Sequence, residues 1–287
     1  MMPTTPRIST RCAHWGWDDH EYFGYSVFRE LTGHESMIGM SALSVLGRRL
    51  PKECCDVLED IICVSTLADP RIWPLKIARL VASYGSTMPA VAASLSIQEG
   101  ARIGPWKAAD AARALGEMHE AMRGQHDNKA VVHEVAEWYF ATHRVVPGFG
   151  TPYRDRDERL AALHQCMIQR QRNQLPYWGT MCAVSDAAHL LYHIAPNIVF
   201  GTAAALLDME MSCDEIGAIT TVLFQHMFMA NAVEGARTRA TSLRELPEGF
   251  LRFVGRPSRI SPRAVERTSE MWTSKGKNKP KRKGAPT

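Results

Sequence analysis

The chain has 287 residues, 45% hydrophobic and 22% charged, which is ordinary globular composition and long enough to bury a core without disulfides or metals. Seven cysteines at irregular spacing, none in a Cys-x-x-Cys pair, argue against a disulfide framework or a structural metal and suit small buried hydrophobes in a reducing compartment. The net charge of +4 is misleading, because Lys275, Lys277, Lys279, Lys281, Arg282 and Lys283 supply six positive charges in a Gly/Pro-punctuated tail and leave the body slightly acidic. Such a tail, 263–287, reads as solvated and disordered; without interleaved aromatics it gives no support to nucleic-acid binding.

No uninterrupted apolar run reaches the ~18 residues of a membrane span, and the N-terminus lacks the apolar centre of a signal peptide. The expectation is a cytoplasmic protein with no membrane partner. Residues 1–19 form an opening segment in which Trp15, Trp17, Asp18, Asp19 and His20 cluster, and the indoles are expected to pack it down.

Helical periodicity dominates from there, with almost no strand signal. After Pro51, Val57, Leu58, Ile61, Ile62 and Val64 recur at three- and four-residue steps, predicting an amphipathic helix that runs to Asp69. Helices follow near 74–97, 106–122, 128–143, 157–170, 180–194 and 198–209, with Pro and Gly mainly between them. Ser212 and Glu215 fit a capping box, and Ile216, Ile219, Leu223, Met227, Ala230 and Val233 then line one face of a single helix of roughly six turns. The Met and Leu stripes (Met37, Ile38, Met40, Leu43; Met227, Met229) are read as core or dimer interface. The fold class predicted is all-α.

The most informative segment is Val145-Val146-Pro147-Gly148-Phe149-Gly150-Thr151-Pro152-Tyr153, followed by Asp157-Glu158-Arg159. It resembles the V-P-G-F-G-H-P…D-P-R segment of the citrate synthase superfamily, in the short branch with citryl-CoA lyases and the C-terminal part of ATP-citrate lyase. Other stretches are similar in the same order. Gly24–Leu50 resembles the family's opening, Ile77–Ser83 its A-A-R-x-V-A-S, Gly104-Pro105-Trp106-Lys107 its G-P-x-H-G-G, Pro196–Val199 its N-x-D, and Phe228–Glu234 its A-H-x-x-E helix. The resemblance spans about residues 20–245.

It implies a large helical domain from 20–105 and 196–262, a smaller domain inserted at 106–195, a ligand cleft between them, and a homodimer packed through helices of the large domain. It also implies coenzyme A or an acyl-CoA as a ligand, with a 2-oxoacid as the possible second substrate. The loop Val146, Pro147, Gly148, Phe149 and Gly150 would recognise the adenine end of CoA through its backbone. Arg154 and Arg156 are placed to meet its phosphates, or else form a solvated rim.

The family's catalytic positions, however, carry other residues. Its general-base aspartate falls at Val199, its enolate-stabilising histidine at Lys107 and its carbonyl-polarising histidine at Thr151. A substrate histidine falls at Pro70 and a late arginine at Phe224. Arg159 alone survives from the carboxylate clamp, and the nearest carboxylate to Val199, Asp208, lies more than two helical turns on.

Lys107 is the one replacement able to place a positive charge beside an enolate oxygen. His226 is a candidate substitute acid–base group, with core packing as its ordinary alternative. His189 and His193 sit four apart without a third metal ligand. The expectation is a protein that binds an acyl-CoA and runs diverged Claisen or retro-Claisen chemistry; the alternative is a non-catalytic binding or regulatory partner.

Overall fold

A computed structural model describes residues 8–98, 104–151, 156–238, 247–252 and 254–256. The predicted disordered tail at 263–287 lies outside them, as does Arg154. The chain divides into two compact units, Met1–Ala240 and Thr241–Thr287. In the second, the described residues hold one 3₁₀ turn, Glu248–Phe250.

The first unit opens with a small antiparallel sheet, β1 (Ala13–Trp15), β2 (His20–Tyr22) and β3 (Tyr25–Ser26), paired in the order β1-β2-β3. Its strands are two or three residues long, too short for alternation to register as a signal. Trp15 and Trp17 do not pack it down as expected: Trp17 is 89% exposed, and the two indoles contact each other. Asp19 does the ordering instead. It accepts from the Ser26 hydroxyl, the amides of His20 and Phe28 and the Arg29 guanidinium, which together hold its carboxyl far below the usual range. A π-helical turn over Val27–Leu31 leads into the helices.

Eleven helices follow among the described residues, and most of their ends have a local cause. Ser36 caps α1 (Met37–Leu46), and Gly47 closes it at φ +65 with its N–H on the Leu43 carbonyl. Asn128 caps α6 (Lys129–Thr142), and Ser212 makes both bonds of a capping box with Glu215 at α10 (Cys213–Leu223). Helix α2 (Lys52–Ser65) stops short of the predicted Asp69, where Thr66 turns its amide back to the Cys63 carbonyl and its hydroxyl to Ile62.

The single helix predicted over 74–97 is two, α3 (Trp73–Ser83) and α4 (Thr87–Ser96). Pro89 cannot continue a helix from the preceding turn and takes a place in the first turn of α4, while Gly85 supplies the bend. The six-turn helix predicted after Ser212 is likewise broken at Phe224, giving α10 and α11 (Gln225–Ala236). His226 Nδ1 sits 3.0 Å from the Leu223 carbonyl and competes for the helical ladder there. By length and composition alone Cys213–Ala236 is apolar enough to cross a membrane; in this fold it is a core element packed on α1, α3, α4 and α5.

At the centre lie α5 (Trp106–Ala121) and α9 (Ile198–Leu207). Ala108, Ala109, Ala111, Ala112 and Ala114 of α5 and Ala203, Ala204 and Ala205 of α9 are all buried, so small side chains let these helices approach closely. Helix α9 is buried on nearly every face, as an all-apolar helix must be. Around them pack α1, α2, α6, α7 (Glu158–Gln169), α8 (Pro176–Tyr192) and α10. A satellite cluster joins α3, α4 and α11 through Leu75, Ala78, Val91, Phe228 and Ala232. Helix α11 meets α3 so closely that a Cβ on Gly235 would lie 2.3 Å from the Arg79 carbonyl. Leu43 is buried, but Met37 is 85% exposed and so is not core. All seven cysteines are free, and Cys55 alone is buried.

Candidate functional site

The N-terminal turn of α9 brings together two of the positions singled out by the sequence, Val199 and Phe224. Three segments far apart in sequence line one small pocket with about 20 Å³ of room, enough for a single water: Gly104, Pro105 and Ala108 at the start of α5, Ile198, Val199 and Thr202 of α9, and Thr220 and Phe224 at the end of α10. Val199 and Phe224, expected from the sequence to stand at the places of a base and an arginine, both line it. Gly217 makes room beside it, since a Cβ at that position would fall 2.5 Å from the Trp106 ring.

On the other side of the same turn lies the 146–150 loop. Gly148 (φ +88) and Gly150 (φ +84) adopt backbone that L side chains rarely take, and a Cβ on Gly148 would lie 2.7 Å from that of Phe200. The loop is stitched to the strand-like approach to α9. Gly150 N–H donates to the Ala195 carbonyl (2.9 Å), Asn197 N–H to Gly148 (2.8 Å) and Asn197 Nδ2 to Gly150 (3.0 Å). Phe149 packs on Phe140 and Phe200, and Val146 is buried. Among the described residues the carbonyls of Pro147 and Phe149 accept no hydrogen bond. Arg156 is exposed nearby in sequence.

Asp157 joins the parts. It caps α7 and is 5% exposed; its carboxylate accepts from Arg159 N (3.0 Å), Nε (2.9 Å) and Nη2 (2.7 Å), and from Ile198 N (2.9 Å) at the start of α9. Burial pushes its carboxyl up, but the Arg159 guanidinium and the Ile198 and Arg159 amides outweigh it and hold the group below the usual value. Arg159, expected to clamp a substrate carboxylate, is thus committed to Asp157. Asn197 takes the Val199 amide, so the α9 terminus is filled by the chain's own groups.

The remaining predicted residues stand apart from the pocket lining. Lys107 Nζ lies 2.8 Å from Asp110, both half-buried on α5. His226 is held between Thr66 Oγ1 (2.8 Å, Nε2) and the Leu223 carbonyl. Thr151 is half-buried at the end of the loop. His189 and His193 are 6.4 Å apart edge to face, and no group of three His, Cys, Asp or Glu gathers among the described residues.

Two polar assemblies had no sequence signal. Asp208 accepts the amides of Tyr177 and Trp178 (both 2.9 Å) and so caps α8 from another element; burial raises its carboxyl to about 6. His119 stacks on His126 (4.2 Å) and lies 2.7 Å from the Thr180 hydroxyl, with burial first and His126 second lowering its pKa.

An all-α chain with a glycine loop backing a central alanine-rich helix has the fold of the citrate synthases and citryl-CoA lyases. The chain superposes on citryl-CoA lyase from Hydrogenobacter thermophilus with a TM-score of 0.72 at 19% identity, over 90% of this chain and 99% of that one. For the ATP citrate lyase of Methanosaeta concilii, solved with (3S)-citryl-CoA, the values are 0.63 and 15%, over 92% of this chain and 44% of that one. For citrate synthase from the archaeon Thermoplasma acidophilum, solved with carboxymethyl coenzyme A and oxaloacetate, they are 0.52 and 14%, over 81% and 60%. At such identities the fold is what is shared. The sequence matches no family model and no curated protein sequence.

Proposed function

We propose that this chain is an acyl-CoA-binding protein of citrate-synthase-like fold, in which the place of the proton-transfer chemistry is occupied by an apolar pocket. The observation that carries the reading is the lining itself: Val199, Phe224, Ile198, Ala108 and Pro105, with two threonines and Gly104 and, among the described residues, no ionisable side chain. Condensing or cleaving a citryl-type thioester needs a base for the α-carbon proton and donors for the enolate oxygen, and one such proton-transfer group contributes about 10²–10⁴-fold. Among the described residues the lining supplies no base for that proton, so the chain binds its thioester without running the usual step.

At the other end of the ligand, the carbonyls of Pro147 and Phe149, which accept no hydrogen bond among the described residues, are acceptors suited to the adenine amino group. CoA derivatives bound to two of the neighbours support the ligand class. A homodimer, a 106–195 inserted domain and a cytoplasmic site of action belong to the same proposal.

The test is calorimetry with CoA and acetyl-CoA, paired with an assay for citrate from acetyl-CoA and oxaloacetate. Binding without turnover is expected. Steady turnover near ~10 s⁻¹, an ordinary enzyme value, overturns the reading, as does the absence of any CoA binding.

A second reading, diverged carbon–carbon bond chemistry on an acyl-CoA with a 2-oxoacid partner, is favoured by one observation. Lys107 adjoins Ala108, which lines the pocket, and its partner Asp110 is only a surface ion pair, worth roughly 0–1 kcal/mol. Under the leading reading Lys107→Met leaves acyl-CoA affinity within about twofold, since so weak a pair is all it breaks. Loss of a measurable turnover in that variant, with CoA binding retained, would assign Lys107 to chemistry and favour the second reading.

A further inference from the structure

The small N-terminal sheet has no residue in the pocket at α9, yet it borders a groove with about 340 Å³ of room, against a single water's room beside α9. The pleat explains part of its lining. Side chains of a strand alternate between faces, and the pairing sets Ala13 opposite Tyr22 and Trp15 opposite His20, so these four share one face. Helix α1 adds Met40 to the lining, and Ser44, one turn on, accepts from the Tyr22 hydroxyl (2.7 Å). Val27 and the exposed His14 and Glu21 complete it.

Rings therefore make up half of the lining: Trp15, Tyr22, His14 and His20. They and their neighbours stand at angles that form corners. Trp15 meets Trp17 at 57° with centroids 4.9 Å apart, and His20 meets Phe28 at 56° and 5.1 Å, while Trp15 and His20 lie 24° from parallel at 6.4 Å. Trp15 is 66% exposed and Phe28 53%, so the chain leaves much of this ring surface uncovered.

The face of an aromatic ring attracts positive charge. The same sheet already holds one cation in this way, the Arg49 guanidinium over the Tyr25 ring of β3, 5.7 Å from its centroid. Acids stand at the edge of the groove as well. Glu21 lines it and Asp18 is exposed two residues before His20, whereas Asp19 is occupied by Ser26, Phe28 and Arg29. Met40 and Val27 make the rest of the wall apolar, which penalises a primary ammonium that must shed its water and suits a cation whose charge is sheathed in methyl groups.

From this juxtaposition we infer that the groove binds a small quaternary ammonium compound, with a trimethylammonium group among Trp15, His20 and Tyr22 and Glu21 as its counter-ion at the edge. The site is independent of the acyl-CoA reading.

The test is calorimetry on the full chain with choline, with ethanolamine, and with the uncharged isostere of choline in which tert-butyl replaces trimethylammonium. Choline is expected to bind about tenfold more tightly than either, since the isostere lacks the charge and ethanolamine keeps its water. Trp15→Leu should weaken choline about tenfold. Glu21→Gln should weaken it about threefold, as loss of one exposed counter-ion does, and leave the isostere unchanged.

The inference falls if the isostere binds as well as choline, for the groove is then an apolar surface indifferent to charge. It falls equally if choline does not bind at millimolar concentration, or if Trp15→Leu keeps full choline affinity. Should Trp15→Leu melt lower than the parent, Glu21→Gln decides: a loss confined to choline supports the site, and no loss, or an equal loss for the isostere, overturns it.

Discussion

Gly148→Val is expected to lower the thermal midpoint by on the order of 10 °C and to abolish CoA binding. Two costs add. A β-branched residue at φ +88 is strained by about 1–3 kcal/mol, and its Cβ would press on Phe200, 2.7 Å away in the centre of the core, for about 1–3 kcal/mol more. Each kcal/mol moves the midpoint of a domain this size by roughly 2–4 °C. Gly150 separates the two terms: at φ +84 it has nothing within 4 Å of its missing Cβ. Gly150→Ala should therefore show the conformational cost alone, a shift of a few degrees. Differential scanning calorimetry on both variants decides the matter. Equal midpoints would mean that the Phe200 contact does not govern the loop.

Asp157→Ala carries the next largest effect, about 3 kcal/mol of unfolding free energy, at the lower end of what breaking a buried pair costs because Arg159 can still reach water. The Ile198 amide at the head of α9 loses its acceptor in the same step. The change also has a pH signature. Since the folded-state pKa of Asp157 is depressed, its contribution is present above the unfolded carboxylate value near ~3.9 and is lost as pH falls through the lower folded value. Asp208 has the opposite sign: its raised value, about 6, favours the protonated fold, and that advantage is lost as pH rises toward 6. Urea midpoints at pH 7 and pH 3 should fall less between the two conditions in Asp157→Ala than in the parent. An unchanged midpoint at pH 7 would show that the carboxylate is not the joint described above.

The helices were legible where their causes are local. Ser212 and Glu215 cap one another three residues apart, and apolar spacing after Pro51 marks the buried face of α2. Causes that lie elsewhere in the chain were not. Helix α8 begins at Pro176, four residues before the predicted start, because Asp208 of another element takes its first amides. His226 interrupts the α10–α11 run through a bond that no apolar period encodes.

At the site, Val199 and Phe224 were marked as changed positions by resemblance, and the fold brings both to one pocket. Arg159 was seen as an isolated survivor; its tie to Asp157 was foreshadowed only by an acid at the N-cap and a base two residues on.

The satellite cluster has a consequence for how the chain assembles. Helices α3 and α4 form a local hairpin early in the sequence, yet the element that covers Leu75, Ala78 and Val91 is α11, more than 130 residues later. The Arg79–Glu234 pair, 155 residues apart, closes the same loop. Closing it costs conformational entropy that local helix contacts do not repay. During synthesis at about 5–20 residues per second, that hairpin would stand with its apolar face uncovered for several seconds at least. The growing chain therefore has a defined window in which α3 and α4 are the natural footing for a chaperone, and the arrival of Phe228 and Ala232 is what ends it.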